Sequence, residues 1–326
     1  MRIARGTAGC WLAALTSLLM SAAMARADGP PPWAYADTAA PEANALPPDD
    51  GKIRTVPGST VQYSIPQIRN FYDPPDWYPG EHAPPPPLVA HGVNPGIFAC
   101  GYCHLPNGNG RPENANIAGL PASYIVQQVK DMASGARTSS LPNHFPQKLM
   151  LALAKPAASD PGLALAADYF ASLKPRATYK VVETETIPKI EVYRWVYKKS
   201  ASPGSEPIGN RLIELPGNIE GFENRDGHMT YTAFVAPGSL AKGEELVKTG
   251  AGKTTACAIC HGADLKGLGP VPPIAGRSPG YLARQLFDFQ SGARNGDWSA
   301  LMKPVVAGLS NDDLVAMTAY LASLEP

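Results

Sequence analysis

The strongest constraint on this 326-residue chain is a pair of five-residue stretches, Cys100–His104 and Cys257–His261, each with the pattern C-x-x-C-H. In this pattern two thiols add across the vinyl groups of a haem, and the adjacent histidine coordinates the iron. Together the motifs use every cysteine outside the first 27 residues. We therefore predict two covalently attached haem c groups. The residues predicted to attach haem and bind iron are Cys100, Cys103, His104, Cys257, Cys260 and His261.

Two other chemistries use paired cysteines, namely structural zinc sites and thioredoxin-like redox sites. Zinc requires four ligands with local spacing, and no second ligand pair lies near either motif. A thioredoxin-like site requires a βαβ pattern around the motif, whereas glycine- and proline-rich loops follow both motifs here. The sequence thus favours haem attachment.

Residues 1–27 have the pattern of a secretory signal peptide. Arg2 and Arg5 precede an apolar run from about Trp11 to Met24, and Ala25-Arg26-Ala27 forms a small-x-small cleavage site. A retained membrane anchor is the alternative, but polar residues interrupt the run, which is shorter than the roughly 20 residues that span a bilayer. We expect a cleaved signal and a periplasmic chain of about 299 residues.

The remaining chain is close to neutral. Without the three arginines of the signal segment, 25 basic residues stand against 28 acidic ones. This balance gives no support for binding to nucleic acid or to anionic membranes. No other apolar run approaches 18 residues, so we expect a soluble mature chain with no membrane span.

The chain contains an internal repeat. When the sequence is shifted by 157 residues, the first motif falls on the second, and the match continues without a gap until Arg137 falls on Arg294. Over these 38 positions 14 residues are identical, including Tyr124 and Tyr281. The sequence therefore predicts two copies of one haem module.

Helical patterns follow each motif. Apolar residues recur at helical spacing from Ile125 to Met132 and from Leu282 to Phe289, and each copy ends in a further helix near Leu173 or Leu324. Ser310 and Asp313 form a capping box for the last helix. Another amphipathic helix is predicted over Ser239–Thr249, whereas Ala83–Pro87 occupies the matching place in the first copy and cannot be helical.

The segments outside the repeat differ in character. A proline-rich arm either lies over the first module or forms a loose tether, and its aromatic cluster Phe71, Tyr72, Trp77 and Tyr78 favours docking. Between the modules, Lys189–Lys198, Leu212–Leu215 and Thr230–Val235 are predicted strands of a small β insertion, either a spacer or a partner-docking surface. The predicted division is signal 1–27, arm 28–96, first haem domain 97–175, insertion 176–237 and second haem domain 238–326.

Each iron needs a second axial ligand, and a thioether would favour ferrous iron and raise the reduction potential. In the second module Met302 lies in a predicted loop between two helices, whereas Met317 falls on a buried helical stripe. In the first module Met150 occupies the comparable place, and Met132 aligns with the core residue Phe289. We predict Met150 and Met302 as ligands. The competing candidates for the first iron are His144, His91 and His82.

Other residues near the motifs have two open interpretations. The carbonyl of Pro270 could accept the second ring proton of His261, as Pro112 could for His104, or both prolines simply form turns. Arg137 and Arg294 could pair with haem propionates, or they could be solvated cations at helix ends.

These motifs resemble class I c-type cytochromes of the small bacterial type. The resemblance rests on the haem motif, the loop Gly267-Leu268-Gly269-Pro270, the runs Ile274–Gly276, Tyr281–Leu286 and Ser291–Arg294, and Met302-Lys303-Pro304. The tandem arrangement is similar to dihaem cytochrome c4, over about 97–175 and 238–326. The resemblance implies two domains with His/Met haems that transfer single electrons in the periplasm.

The expected fold is mainly α, with two tandem cytochrome c domains, a small β insertion and a proline-rich arm. The favoured function is electron transfer between a periplasmic dehydrogenase or quinol-oxidising complex and a terminal acceptor such as an oxidase, either as a free carrier or as a dehydrogenase subunit. The alternative is a dihaem enzyme, a peroxidase or a thiosulfate-oxidising cytochrome. A peroxidase would need an open iron, and thiosulfate enzymes typically use a distal cysteine, which the mature chain lacks.

Overall fold

The computed structural model describes residues 29–37 and 45–326, so the predicted signal peptide lies outside the described residues. Over the described ranges the fold is mainly helical. The helices are α1 Ile65–Ile68, α2 Pro87–Ala90, α3 Cys100–His104, α4 Ala122–Ser134, α5 Phe145–Ala157, α6 Leu163–Ser172, α7 Ile219–Glu223, α8 Ser239–Thr249, α9 Ala258–His261, α10 Pro279–Gln290, α11 Ser299–Val306 and α12 Asn311–Ser323. None of these described helices is long and apolar enough to cross a membrane.

Short strands complete the fold. They are β1 Ile53–Arg54, β2 Tyr63–Ser64, β3 Tyr179–Glu183, β4 Thr186–Pro188, β5 Ile190–Tyr193, β6 Val196–Lys199, β7 Ser205–Pro207, β8 Ile213–Pro216 and β9 Tyr231–Val235. The largest sheet has the order β3-β9-β8, in which β9 pairs parallel to β3 and antiparallel to β8. This sheet packs against α12, where Val235 meets Val315 and Ala319 in a buried cluster.

Each haem motif lies beside its own hydrophobic cluster. Around the first motif, α2, α4, α5 and α6 bury Leu88, Val129, Ala154 and Phe170 together. Around the second, α8, α10, α11 and α12 bury a cluster that includes Leu246, Phe287, Val306 and Leu314. The apolar stripes predicted on α4 and α10 therefore face these two clusters, as expected from helical spacing.

Helix ends in the second half follow the sequence prediction. Ser278 caps α10 through a hydrogen bond from the amide of Tyr281, and Pro279 occupies the first helical position. Ser310 and Asp313 form the predicted capping box of α12. The predicted helix α8 is confirmed over Ser239–Thr249, and it lies so close to α12 that a side chain at Gly243 would collide with the carbonyl of Ala316.

The arm replaces the missing first helix of the first module. Here α2 packs against α3 and α6, which is the flank that α8 covers in the second module. The docked interpretation of the arm is confirmed for the described residues, because Trp77 and Tyr78 are buried and reach the insertion. Trp77 donates its indole N–H to the carbonyl of Asn224 at 2.7 Å, and Tyr78 donates its hydroxyl to Asp226 at 2.9 Å.

The insertion contains the predicted strands, with one correction. The sequence predicts a single strand over Lys189–Lys198, but the structure forms the hairpin β5–β6 with Arg194 and Trp195 at its tip. Both tip residues have positive φ, +47° and +67°. Two-residue hairpin turns of this kind usually carry Asn-Gly, so the sequence offers no turn signal at this position.

A buried carboxyl group joins the insertion to α10. Glu214 on β8 is 8% exposed and accepts a hydrogen bond from Ser278 at 2.9 Å, beside the start of the helix. Burial raises the pKa of Glu214 to about 7, although the Arg284 guanidinium and the hydrogen bond from Ser278 act in the opposite direction. Between its usual pKa and about 7, the folded state holds a proton that the unfolded state has released.

We expect Glu214 to make the protein less stable as the pH rises from about 4.5 to about 7, by up to roughly 3 kcal/mol. The stability that protonated Glu214 contributes is fully present below the pKa of this group in the unfolded state, and it is lost as the pH rises towards the pKa in the folded state. Glu214→Gln should remove this slope, which urea unfolding at pH 5 and pH 8 would measure. An unchanged difference between the two pH values would contradict the assignment.

Candidate haem sites

The first motif opens onto a cavity of about 440 Å³ whose walls come from the module, the arm and the insertion. This volume is in the range of about 300 to 1,000 Å³ that is typical of cofactor sites. Cys100, Cys103, His104 and Met150 all line the cavity, together with apolar side chains of α4, α5 and α6. The residues present therefore fit a haem attached through the two sulfur atoms.

Each motif histidine is oriented by a main-chain carbonyl. His104 Nδ1 lies 2.8 Å from the carbonyl of Ala115, and His261 Nδ1 lies 2.8 Å from that of Pro272. Burial lowers the pKa of both histidines, which favours neutral rings that donate from Nδ1 and keep a lone pair on Nε2 for a metal. Of the two interpretations of Pro112 and Pro270, the one as carbonyl acceptors is wrong, because the histidine rings contact the carbonyls of Ala115 and Pro272, three and two residues further along the chain.

Met150 lies on α5, packed against the first cluster and lining the cavity. The competing histidines are engaged elsewhere. His144 is 3% exposed, and its ring nitrogens contact Gln147 and the carbonyl of Ala36. His82 contacts Asp76 and Tyr169, and His91 pairs with Asp73. Met150 and His104 both line the cavity, and none of the three competing histidines is among the cavity-lining residues of the described ranges.

In the second module Met302 and Cys257 are partly buried and pack against the same cluster, whereas Met317 is 2% exposed within it. The predicted loop around Met302 is wrong, since the residue lies on α11. Pro304 sits inside this short helix and removes one hydrogen bond. Gln290 donates to the carbonyl of Val306 at the end of the helix and to that of Leu309 just after it.

The interface between the modules is nearly symmetric under the 157-residue shift. Arg137 donates to Gln128 of its own module at 2.9 Å and to Gln285 of the other at 2.7 Å. Arg294 donates to Gln285 at 3.2 Å and to Gln128 at 2.7 Å. Each arginine also reaches the tyrosine hydroxyl of the opposite module, Tyr281 or Tyr124.

This cluster corrects one of the two interpretations of the arginines. Arg294 is 6% exposed, so it is not a solvated helix-end cation. Desolvation opposes ionisation of Tyr124, but Arg294 and Arg137 lower its pKa overall. Arg137 and Tyr281 also line the first cavity, which keeps a contact with a haem carboxylate chemically reasonable. Identical tyrosines and glutamines four residues apart in both copies were the sequence signal for this cluster.

Sequence reasoning missed a further part of the first site. Arg194 and Trp195 from the hairpin tip, Arg225 after α7 and Arg69 from the arm line the cavity. The insertion is therefore a wall of the first haem cavity as well as a connection between the modules. Nothing in the local pattern of residues 176–237 indicates this role, because the hairpin and the first motif are distant in sequence.

Comparisons with known proteins show that this chain is similar to c-type cytochromes. The cytochrome c family model matches residues 240–325. Cytochrome c4 of Azotobacter vinelandii is 30% identical over 142 residues, which is 39% of this chain and 68% of that protein. Cytochrome c-554(548) of Halomonas halodenitrificans is 37% identical over 89 residues, which is 27% of this chain and 99% of that protein.

A third relative matches a larger share of this chain. The protein named "Thiosulfate dehydrogenase electron acceptor" from Thiomonas intermedia is 25% identical over 234 residues, covering 70% of this chain and 80% of its own length. Together the family match and the relatives agree with covalently bound haem c at the two motifs.

Proposed function

The chain belongs to the cytochrome c family, and from this premise we propose that it is a periplasmic dihaem carrier of single electrons. It takes electrons from a dehydrogenase or quinol-oxidising complex and passes them to a terminal acceptor, either free in solution or as a dehydrogenase subunit. One observation carries the proposal: each motif histidine is held by a loop carbonyl, and a candidate methionine ligand, Met150 or Met302, packs against the cluster beside each motif.

In this proposal, residues 97–175 and 238–326 are two haem domains, joined by the insertion 176–237 and preceded by the arm 28–96. His104 and Met150 bind the first iron, and His261 and Met302 bind the second. Haem c supplies a one-electron couple between ferric and ferrous iron. Four cysteines hold the groups in place, and the loop carbonyls of Ala115 and Pro272 fix the histidine rings.

The apolar packing around both sites suits electron transfer, in which no covalent bond is made or broken. Val129 and Phe170 in the first cluster, and Phe287 and Leu314 in the second, are buried beside the motifs. A thioether ligand favours the ferrous form. The signal-peptide pattern of residues 1–27 supports the periplasmic location, since c-type haem attachment needs reduced thiols outside the cytoplasm.

A sulfur-oxidising role is the second candidate, favoured by the Thiomonas relative. The name of that protein describes an acceptor of electrons, so it supports a carrier that serves such a dehydrogenase. A chain that oxidised thiosulfate itself would typically need a distal cysteine. Every cysteine after residue 27 belongs to a haem motif, which favours the carrier over the enzyme.

The proposal is tested by absorption spectra of the purified holoprotein in both redox states, with and without carbon monoxide and peroxide. We expect two low-spin, six-coordinate haems, slow reaction with both reagents, and an intact mass that exceeds the apoprotein by two haem masses. A high-spin fraction that reacts rapidly with peroxide would contradict the carrier and favour a peroxidase.

A further inference from the structure

Because the chain contains an internal repeat, the exposure of matching residues at the two motifs can be compared directly. Tyr102, inside the first motif, is 6% exposed, whereas its counterpart Ile259 in the second motif is 68% exposed. Arg111, in the loop after the first motif, is 7% exposed, whereas its counterpart Leu268 is 61% exposed. The same face of the module is thus covered in the first copy and open in the second.

Residues from outside the repeat cover the first motif. The Arg225 guanidinium lies 3.5 Å from the ring centroid of Tyr102 and donates to the Tyr102 carbonyl at 2.5 Å. Phe71 of the arm packs against the same ring, with centroids 4.5 Å apart. Arg111 in turn lies over the ring of Phe222, which the insertion supplies. The cover therefore combines aromatic rings with guanidinium groups.

The hairpin tip reaches the same cavity in a costly conformation. Arg194 and Trp195 both have positive φ, a backbone conformation that is unfavourable for residues other than glycine. Trp195 stacks on Phe145 at the start of α5, with centroids 4.5 Å apart. Because α5 also carries Met150, the tip is anchored to the helix of the candidate ligand.

The cover has an excess of positive charge. Among the described residues, five arginines and two carboxyl groups line the first cavity, namely Arg69, Arg111, Arg137, Arg194, Arg225, Glu113 and Asp288. Arg111 pairs with Glu113 at 2.7 Å. The Nε atoms of Arg111 and Arg194 are buried without a hydrogen-bond partner in the described part of the chain. Burial lowers the pKa of Arg225 to about 10, so its charge persists at neutral pH.

We propose that Arg111, Arg194 and Arg225 form a cationic cap on the first haem and raise its reduction potential above that of the second. Reduction adds one electron and moves no proton, so it lowers the positive charge at the iron by one. Nearby guanidinium groups disfavour the more positive ferric state, and their effect is strong in a poorly solvated cavity. At the second site the position of Arg111 carries Leu268, and that of Glu113 carries Pro270.

The proposal deepens the carrier function and rests on it, because it requires a reducible haem at each motif. The test is a potentiometric titration of the holoprotein, followed by the haem absorption bands, for Arg194→Gln, Arg225→Gln and the double variant. We expect the first-haem midpoint to fall in each single variant and further in the double variant, while the second-haem midpoint stays in place. The two midpoints are assigned with Met302→Ala, which should lower the midpoint of the second haem and leave that of the first haem in place.

Two control variants separate charge from damage to the fold. Arg211→Gln removes the same charge from the insertion, where Arg211 pairs with Glu206 at 2.9 Å outside the cavity, and it should move neither midpoint. Arg225→Lys keeps the charge and should leave the first-haem midpoint close to that of the wild type. Intact mass and thermal unfolding verify that each variant carries two haems and folds.

The cap is refuted if the double variant carries two low-spin haems and both midpoints equal those of the wild type. An equal shift in Arg211→Gln would also refute it. Should Arg225→Gln fail to fold, Arg194→Gln at the hairpin tip decides alone. Failure of the carrier function has a separate signature, rapid binding of carbon monoxide by the wild type, which leaves the midpoints measurable.

Discussion

Met302→Ala should leave both haems attached, abolish the methionine-to-iron absorption band of the second haem and lower the reduction potential of that haem. The physical reason is the loss of a thioether ligand that favours ferrous iron. Met302 is partly buried and packs against the same cluster as Cys257 and Ala258 of the second motif. Redox titration and near-infrared absorption of the holoprotein measure the two effects.

Met317→Ala is the matched control in the same module. Met317 is 2% exposed on α12, so its truncation should cost on the order of 2 to 5 kcal/mol of stability while the absorption band persists. If Met317→Ala abolished the band and Met302→Ala retained it, the ligand assignment in the second module would be reversed.

Met150→Ala should open the first iron and produce a high-spin signal with rapid carbon monoxide binding at one haem. Met150 lines the cavity, whereas both ring nitrogens of His144 already have protein partners. Removing the thioether therefore leaves no ready replacement among the histidines considered. Stopped-flow mixing with carbon monoxide, and the absorption spectrum of the oxidised protein, measure the change.

Met132→Ala is the control for the first module. Met132 packs against the same cluster and also lines the cavity, but it aligns with the core residue Phe289. Its variant should lose stability and remain low-spin. A wild-type protein that already binds carbon monoxide rapidly, with a spectrum that Met150→Ala does not alter, would contradict methionine ligation at the first haem.

Much of the candidate sites could be predicted because the relevant patterns are short-range. The spacing within Cys100–His104 and Cys257–His261 is a local feature, and so is the capping box of Ser310 and Asp313. Helix α8 was predicted with its observed ends. Errors arise in the loops that fold back after the motifs. There the carbonyls of Ala115 and Pro272 accept from the histidine rings, and those of Pro112 and Pro270 do not.

The sequence alone determined that two haem motifs occur in repeated surroundings, and that a strand-rich segment separates them. The tertiary structure decided that the two surroundings are unequal. Arg225 covers Tyr102 across 123 residues of chain, and the Arg194–Trp195 turn enters the first cavity without any turn signal. Motifs and helix periodicity are encoded by neighbours in the chain. The cover of one haem edge arises from packing between distant segments, which no local pattern specifies.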